Sequence, residues 1–221
     1  MKTNQAFNNN PALKSALVEE TELHRKRDQI VKGTYGKCEG TKFKGCSIGC
    51  SIHSYNLRFD KKMSVSSHEV FETEFQIPVV LAIINDWIFE RLPDELAQTW
   101  PRRFFESIPV GADLRFIHGH FFAWTLIDSK FGFWKVWEAK EDQQVFVDLG
   151  NFVEYLAADL SYDKNQWDSI RNPFLDSLAR LARLDSLDRL GRLGRLTSLA
   201  SLAISASDKL LTLMSESKNP K

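Results

Sequence analysis

Apolar positions along this chain follow two different periods. Over most of the first 130 residues they recur every three to four positions, as in amphipathic or buried helices, whereas from Leu175 onward leucine recurs at every third residue without a slip. In LKSALVEETELHRKRDQI (13–30), Leu13, Leu17 and Val18 share one side of a short helix, and the asparagine-rich residues ahead of it are expected to fray. Between Val31 and Asn56 the texture changes. Glycines at 33, 36, 40, 45 and 49 interleave with cysteines and with Tyr35, Phe43 and Tyr55, which predicts a turn-rich segment with short strands.

Helical spacing then returns. HEVFETEF (68–75) follows the capping residues Ser66 and Ser67, and VVLAIINDWIFERL (79–92) follows Pro78, a residue welcome in a first turn. The second segment is the core helix, with Leu81, Ile84, Trp87 and Ile88 on one face and Val80, Ile83 and Phe89 broadening the apolar surface. DELAQTW and, from Pro101, PRRFFESI read as two separate short helices. ADLRFIHGHFFAWTLID (112–128) reads as a third apolar helix, and the run from Phe131 to Val147 alternates at period two in the manner of a hairpin. NFVEYLAADL and NQWDSI are helical pieces leading to Pro173, where the globular part closes.

The three-residue repeat comprises Leu175, Leu178, Leu181, Leu184, Leu187, Leu190, Leu193, Leu196, Leu199 and Leu202. Each leucine is followed by a small or short residue and then, until Ile204, by Arg or Ser. In an α-helix a three-residue step falls about 60° short of a turn, so the leucines circle the rod and no face is apolar. A 3₁₀-helix has 3.0 residues per turn and stacks them in one line. Long 3₁₀-helices are strained, and one leucine stripe on a lone rod lies in water. Side-by-side copies that bury it, at roughly 1.5–3 kcal/mol per leucine, offset that strain. Self-association is therefore expected, as a 3₁₀ bundle or another helical oligomer. The competing readings are an α-helix buried on all sides against the head, and a coding repeat with little structural meaning. After Ile204 the texture of SDKLLTLM is α-helical again, with Ser207 as a cap.

The expected class is thus mainly α with a small irregular or β element. Residues 1–30 form an N-terminal helix with a frayed end, 31–173 a globular head, 174–206 a Leu-x-x oligomerisation segment, and 207–221 a short terminal helix and tail. Composition agrees: 43% of the 221 residues are apolar, which excludes disorder over most of the length. The 29 basic and 29 acidic side chains cancel, which argues against a dedicated nucleic-acid or anionic-membrane protein. No apolar run reaches the roughly 18 residues of a membrane span, and none near the start resembles a signal peptide. Three cysteines between positions 38 and 50 make a poor disulfide framework and suit reduced thiols in a cytoplasm.

Chemistry is sparse. Cys38, Cys46, Cys50 and His53 are the donor types of a structural zinc site, although their spacing matches no standard finger, and glycine-rich packing of buried thiols is the alternative. His118 and His120, at i and i+2, are a weak ligand pair on a helix. Cys46 or Cys50 with His53, His118 or His120, oriented by Asp113 or Asp128, has the ingredients of a thiol enzyme, but no spacing demands it and no catalytic residue is assigned. P-loop, GxGxxG and HExxH patterns are absent. Trp124, Trp134 and Trp137 are at a density usual for a core. Nucleic-acid binding would rest on Lys37, Lys42 and Lys44 together with the repeat arginines at 180, 183, 189, 192 and 195, multiplied by oligomerisation.

At GCSIGCSIHSYN (45–56), QIPVVLAIINDWIFERLP (76–93) and TWPRRFFESIPVGADL (99–114) the chain resembles an uncharacterised family of phage and bacterial proteins. That family has a glycine-cysteine motif, an IFE-x-LP helix end and a WP-x-RF…IPVGADL segment, and its members commonly end in short-period repeats. The resemblance covers roughly residues 35–128. It implies a phage or bacterial cytoplasmic origin and transfers no catalytic residue. Taken together, the sequence points to a self-assembling structural or interaction protein whose partner is itself, with an unidentified host protein as a further partner class. A cysteine/histidine metal-binding module or enzyme, including one for phage–host interference, and an oligomeric nucleic-acid-binding protein are the alternatives.

Overall fold

The computed structural model describes residues 5–39, 42–130, 132, 143, 144, 146–148, 150, 151, 153 and 199–217. Among these the architecture is mainly helical, with one two-stranded sheet, as the sequence predicts. Residues 1–115 and 206–221 form one compact unit and residues 116–205 a second. No helix among the described residues is long and apolar enough to cross a membrane.

Residues 5–10 of the first unit are ordered, contrary to the expected fraying of the asparagine-rich stretch. Phe7, Asn8 and Asn9 have φ of 58°, 53° and 54°, a left-handed turn of the kind that asparagine tolerates. This turn drives Phe7 into full burial, 6.3 Å from the Phe105 ring, while Ala6 and the 109–112 turn exchange backbone hydrogen bonds of 2.9 Å. Helix α1 (Pro11–Lys26) starts on Asn10, whose side chain accepts the Ala12 N–H, with proline at the first position. It buries Leu13, Ala16 and Leu17 and packs on the helices Ser47–Phe59 and Asp94–Ser107.

Strands β1 (Lys37–Glu39) and β2 (Lys42–Lys44) pair antiparallel, Cys38 opposite Phe43. Directly after them the chain forms helix α2 (Ser47–Phe59). The predicted turn-rich segment is present as bends over 31–36 and the two strands, but from Ser47 the chain is helical, and Gly49 marks a close approach inside that helix and not a turn. A Cβ on Gly49 would lie 1.3 Å from the Tyr35 carbonyl oxygen.

Helices α3 (Glu69–Phe75) and α4 (Val79–Arg91) lie where the periodicity places them. Leu81, Ile84, Ile88 and Phe89 of α4 are buried, but Trp87 is 37% and Ile83 52% exposed, and Arg91 stacks 4.5 Å over the Trp87 ring. Helix α5 (Asp94–Ser107) is continuous through Pro101, where two helices were expected. The aromatic residues around that proline explain the continuity: Trp100, Phe104 and Phe105 are fully buried and hold both halves in one core. Phe71, Phe75, Phe104 and Phe105 surround one another at centroid distances of 5.1–6.4 Å.

In the second unit, α6 (Ile117–Ile127) begins five residues later than the apolar pattern suggested. Residues 143, 144, 146 and 147, inside the expected hairpin, and 148 just after it are helical, and Gln144 donates to Asp148 one turn on at 2.8 Å. Helix α7 (Leu199–Glu216) then carries the chain back into the first unit, where Ala206, Leu210 and Met214 are buried and Arg103 pairs with Asp208 at 3.1 Å. Ser207 lies inside this helix and does not cap it. The final two repeat leucines, Leu199 and Leu202, are consequently α-helical, because LASLAI lacks the glycines of the preceding repeats and is continuous with an ordinary amphipathic helix. The earlier eight, with the proposed 3₁₀ geometry, lie outside the described residues.

Candidate functional site

The chemistry-bearing side chains of the first unit gather where the segment 31–36 crosses the start of α2 and the polar side of α4. Three backbone hydrogen bonds dock that segment: Val31 N–H to Gly45 O (2.9 Å), Gly45 N–H to Gln29 O (2.9 Å) and Cys46 N–H to Thr34 O (2.7 Å). Cys46 thereby becomes the residue that precedes the first turn of α2, and Ser47 to Cys50 are buried.

Asp86 and Glu90, four residues apart on α4, present their carboxylates to the same place. The Gly33 N–H donates to both Glu90 oxygens, at 3.1 and 3.0 Å. Asp86 Oδ2 accepts from the Tyr35 hydroxyl at 3.1 Å and lies 3.3 Å from His68 Nε2, while Tyr35 and His68 meet edge to face at 5.6 Å. The other Asp86 oxygen, Oδ1, is buried without a hydrogen-bond partner. Cys46 Sγ and one oxygen each from Asp86 and Glu90 all lie within 4.8 Å of one another. They are the one grouping of three or more metal-type donors among the described residues.

Burial pushes the Cys46 thiol up to about 12, with the Asp86 carboxylate acting in the same direction and the amides of Gly49 and Ile48 opposing. A thiol held protonated at neutral pH is a poor nucleophile. The imidazole here bonds to the carboxylate, giving the order thiol, carboxylate, imidazole. A thiol protease needs the imidazole in the middle.

The sequence-derived ligand set does not come together. Cys38 is exposed on β1, and Cys50 is buried with its thiol directed at Gly45 O (3.2 Å) and Gln29 O (3.6 Å). Burial raises the Cys50 thiol as well. His53 stacks on Phe43 and faces His24 at 3.4 Å. The reason is helical: along α2 the backbone rises about 1.5 Å per residue, so Cys46 and His53 stand roughly 10 Å apart.

The other proposed groupings are likewise dispersed. Asp113 is held by Arg115 at 2.9 Å, and Asp128 accepts the Lys130 N–H at 2.8 Å. His118 and His120 belong to the second unit, whereas Cys46 and Cys50 belong to the first. Lys37, Lys42 and Lys44 share the hairpin, with Lys37 facing Lys44. Trp134, Trp137 and the repeat arginines lie outside the described residues.

Sequence reading missed Asp86, Glu90, Tyr35 and His68. A signal existed, since between 79 and 90 the only polar residues are Asn85, Asp86 and Glu90, on a helix otherwise apolar all round. No protein-family model matches this chain, and it matches neither curated proteins nor solved structures significantly.

Proposed function

We propose that this is a self-assembling, non-catalytic interaction protein whose first partner is a second copy of itself. The observation that carries this reading is the three-residue leucine register, eight of whose ten leucines, Leu175 to Leu196, precede α7; in a 3₁₀-helix those eight would form one apolar stripe that a single rod does not shelter. The chemistry of the first unit supports it: both buried thiols favour the protonated, poorly nucleophilic form. The repeat lies between residue 173 and the buried residues of α7, so assembly would take place through a segment followed by structure and not through a free end. The resemblance to phage and bacterial proteins supports a bacterial cytoplasm as the setting of that assembly.

Deleting everything after Pro173 is a poor test, because it also removes the buried Leu210 and Met214. The discriminating measurement is light scattering of the full chain against two insertions after Leu187. One alanine turns every later leucine by about 120° in a 3.0-residue helix and is expected to dissolve the oligomer, whereas the triplet Leu-Ala-Arg restores the register and preserves it. A monomeric parent chain, or equal tolerance of both insertions, overturns the reading.

A further inference from the structure

We propose that Cys46, Asp86 and Glu90 form a binding site for a divalent transition metal of the zinc type, with Tyr35, His68 and the Gly33 amide orienting the two carboxylates. The donors come from two packed helices: Cys46 stands at the foot of α2, and Asp86 and Glu90 stand one turn apart on α4. Their ligand atoms lie within 4.8 Å of one another. Bonds of about 2.0–2.3 Å to zinc place tetrahedral donors about 3–4 Å apart, so the three would draw together by about 1 Å around an ion.

A second observation points to a cation. The Tyr35 hydroxyl and the His68 imidazole both address Oδ2 of Asp86, leaving Oδ1 buried and without a partner. Native structures rarely leave a buried carboxylate oxygen unsatisfied, and a metal ion bound through Oδ1 would satisfy it while offsetting the charge of the neighbouring Glu90. The surrounding hydrogen bonds have the arrangement found around metal sites, in which ligating carboxylates are themselves held by donors. Gly33 N–H does this for Glu90 at 3.0–3.1 Å.

The sulfur decides which metal. Two carboxylates alone suit magnesium or calcium, while a thiolate selects zinc, cobalt and their neighbours. Three protein ligands leave the fourth position to water. Binding converts the Cys46 thiol to a metal-bound thiolate and releases one proton to solvent, so affinity rises with pH.

The test uses the full chain, stripped with a chelator and titrated with Co²⁺. Expected is one ion per chain, with a near-ultraviolet thiolate-to-cobalt charge-transfer band and the intense visible bands of tetrahedral cobalt, both removed by added Zn²⁺. Cys46→Ser abolishes the charge-transfer band, Cys38→Ser and Cys50→Ser retain it, and Glu90→Gln weakens binding by about tenfold or more. Circular dichroism establishes that each variant is folded, and if Cys46→Ser is not, Glu90→Gln decides. No charge-transfer band in the parent chain, a band that survives Cys46→Ser, or Glu90→Gln binding as the parent does overturns the site. Light scattering of the same samples keeps this outcome separate from self-assembly: loss of the metal with the oligomer intact removes only the site.

Discussion

The Phe43 ring lies flat on the imidazole of His53, with centroids 3.9 Å apart and planes 3° from parallel. This stack ties β2 to α2 and leaves His53 Nδ1 3.4 Å from Nε2 of His24, which is 4% exposed. Two imidazoles in contact, one of them in the core, cannot both be charged cheaply.

Stability is therefore expected to fall in mild acid. Burial, reinforced by His53, pulls His24 down to about 4 from 6.5, and burial lowers His53 too. Between those values the unfolded chain takes up a proton that the folded chain refuses, so the stability present above pH 6.5 is lost progressively toward pH 4. For His24 the loss amounts to about 3 kcal/mol. Urea midpoints at about pH 7 and about pH 4.5 should diverge strongly in the parent chain and less in His24→Gln. Parallel pH profiles would sink the assignment.

Gly49→Ala and Gly33→Ala should differ sharply. At Gly49 the new methyl would lie 1.3 Å from the Tyr35 carbonyl oxygen, a backbone atom that no side-chain rotation moves, so the segment 31–36 must lift off α2. A loss of about 1–3 kcal/mol or more is expected. Gly33 has open space around it and only the strain of φ +76°, worth about 1 kcal/mol. Thermal or urea melts of the two variants check the order.

Asn85 joins α2, α4 and α5. Its Oδ1 accepts from Trp100 Nε1 at 2.6 Å and from the Ser47 hydroxyl at 3.0 Å, all within the core. Asn85→Ala leaves the buried Ser47 hydroxyl without its acceptor and Trp100 Nε1 with only the residue-85 backbone carbonyl, 3.2 Å away, beside a cavity, and should cost about 2–4 kcal/mol by urea unfolding. A loss below about 1 kcal/mol would mean that water or repacking replaces the amide.

Thiol counting tests the burial pattern directly. Cys38 is exposed, and Cys46 and Cys50 are buried with raised thiols. A thiol reagent at neutral pH should titrate one group quickly in the native chain and all three after denaturation, and Cys38→Ser should remove the fast group. Rapid reaction of a second thiol would show that the segment 31–36 opens readily over Cys46.

The legible parts of this fold are those with a local cause. The spacing of Leu13 and Leu17 announces α1, and that of Leu81, Ile84 and Ile88 announces the buried face of α4, because amphipathic burial acts within a few turns. Trp87 was misplaced for the same reason. On a helix that is apolar nearly all round, periodicity alone does not choose the face, and the neighbours left Trp87 outward beneath Arg91.

The sequence by itself determined the mainly helical class, the elements with clear caps or periodicity, and the three-residue leucine register, all of which depend on residues close along the chain. Tertiary structure alone decided that the glycine-cysteine segment is a helix, that α5 runs through Pro101, and that α7 returns to the first unit. It also replaced Cys38, Cys50 and His53 around Cys46 with Asp86 and Glu90. The physical reason is common to these cases. A glycine beneath a carbonyl, a proline between buried aromatic rings and a carboxylate facing a thiol each take their role from atoms distant in sequence, and those are positioned only when the helices pack.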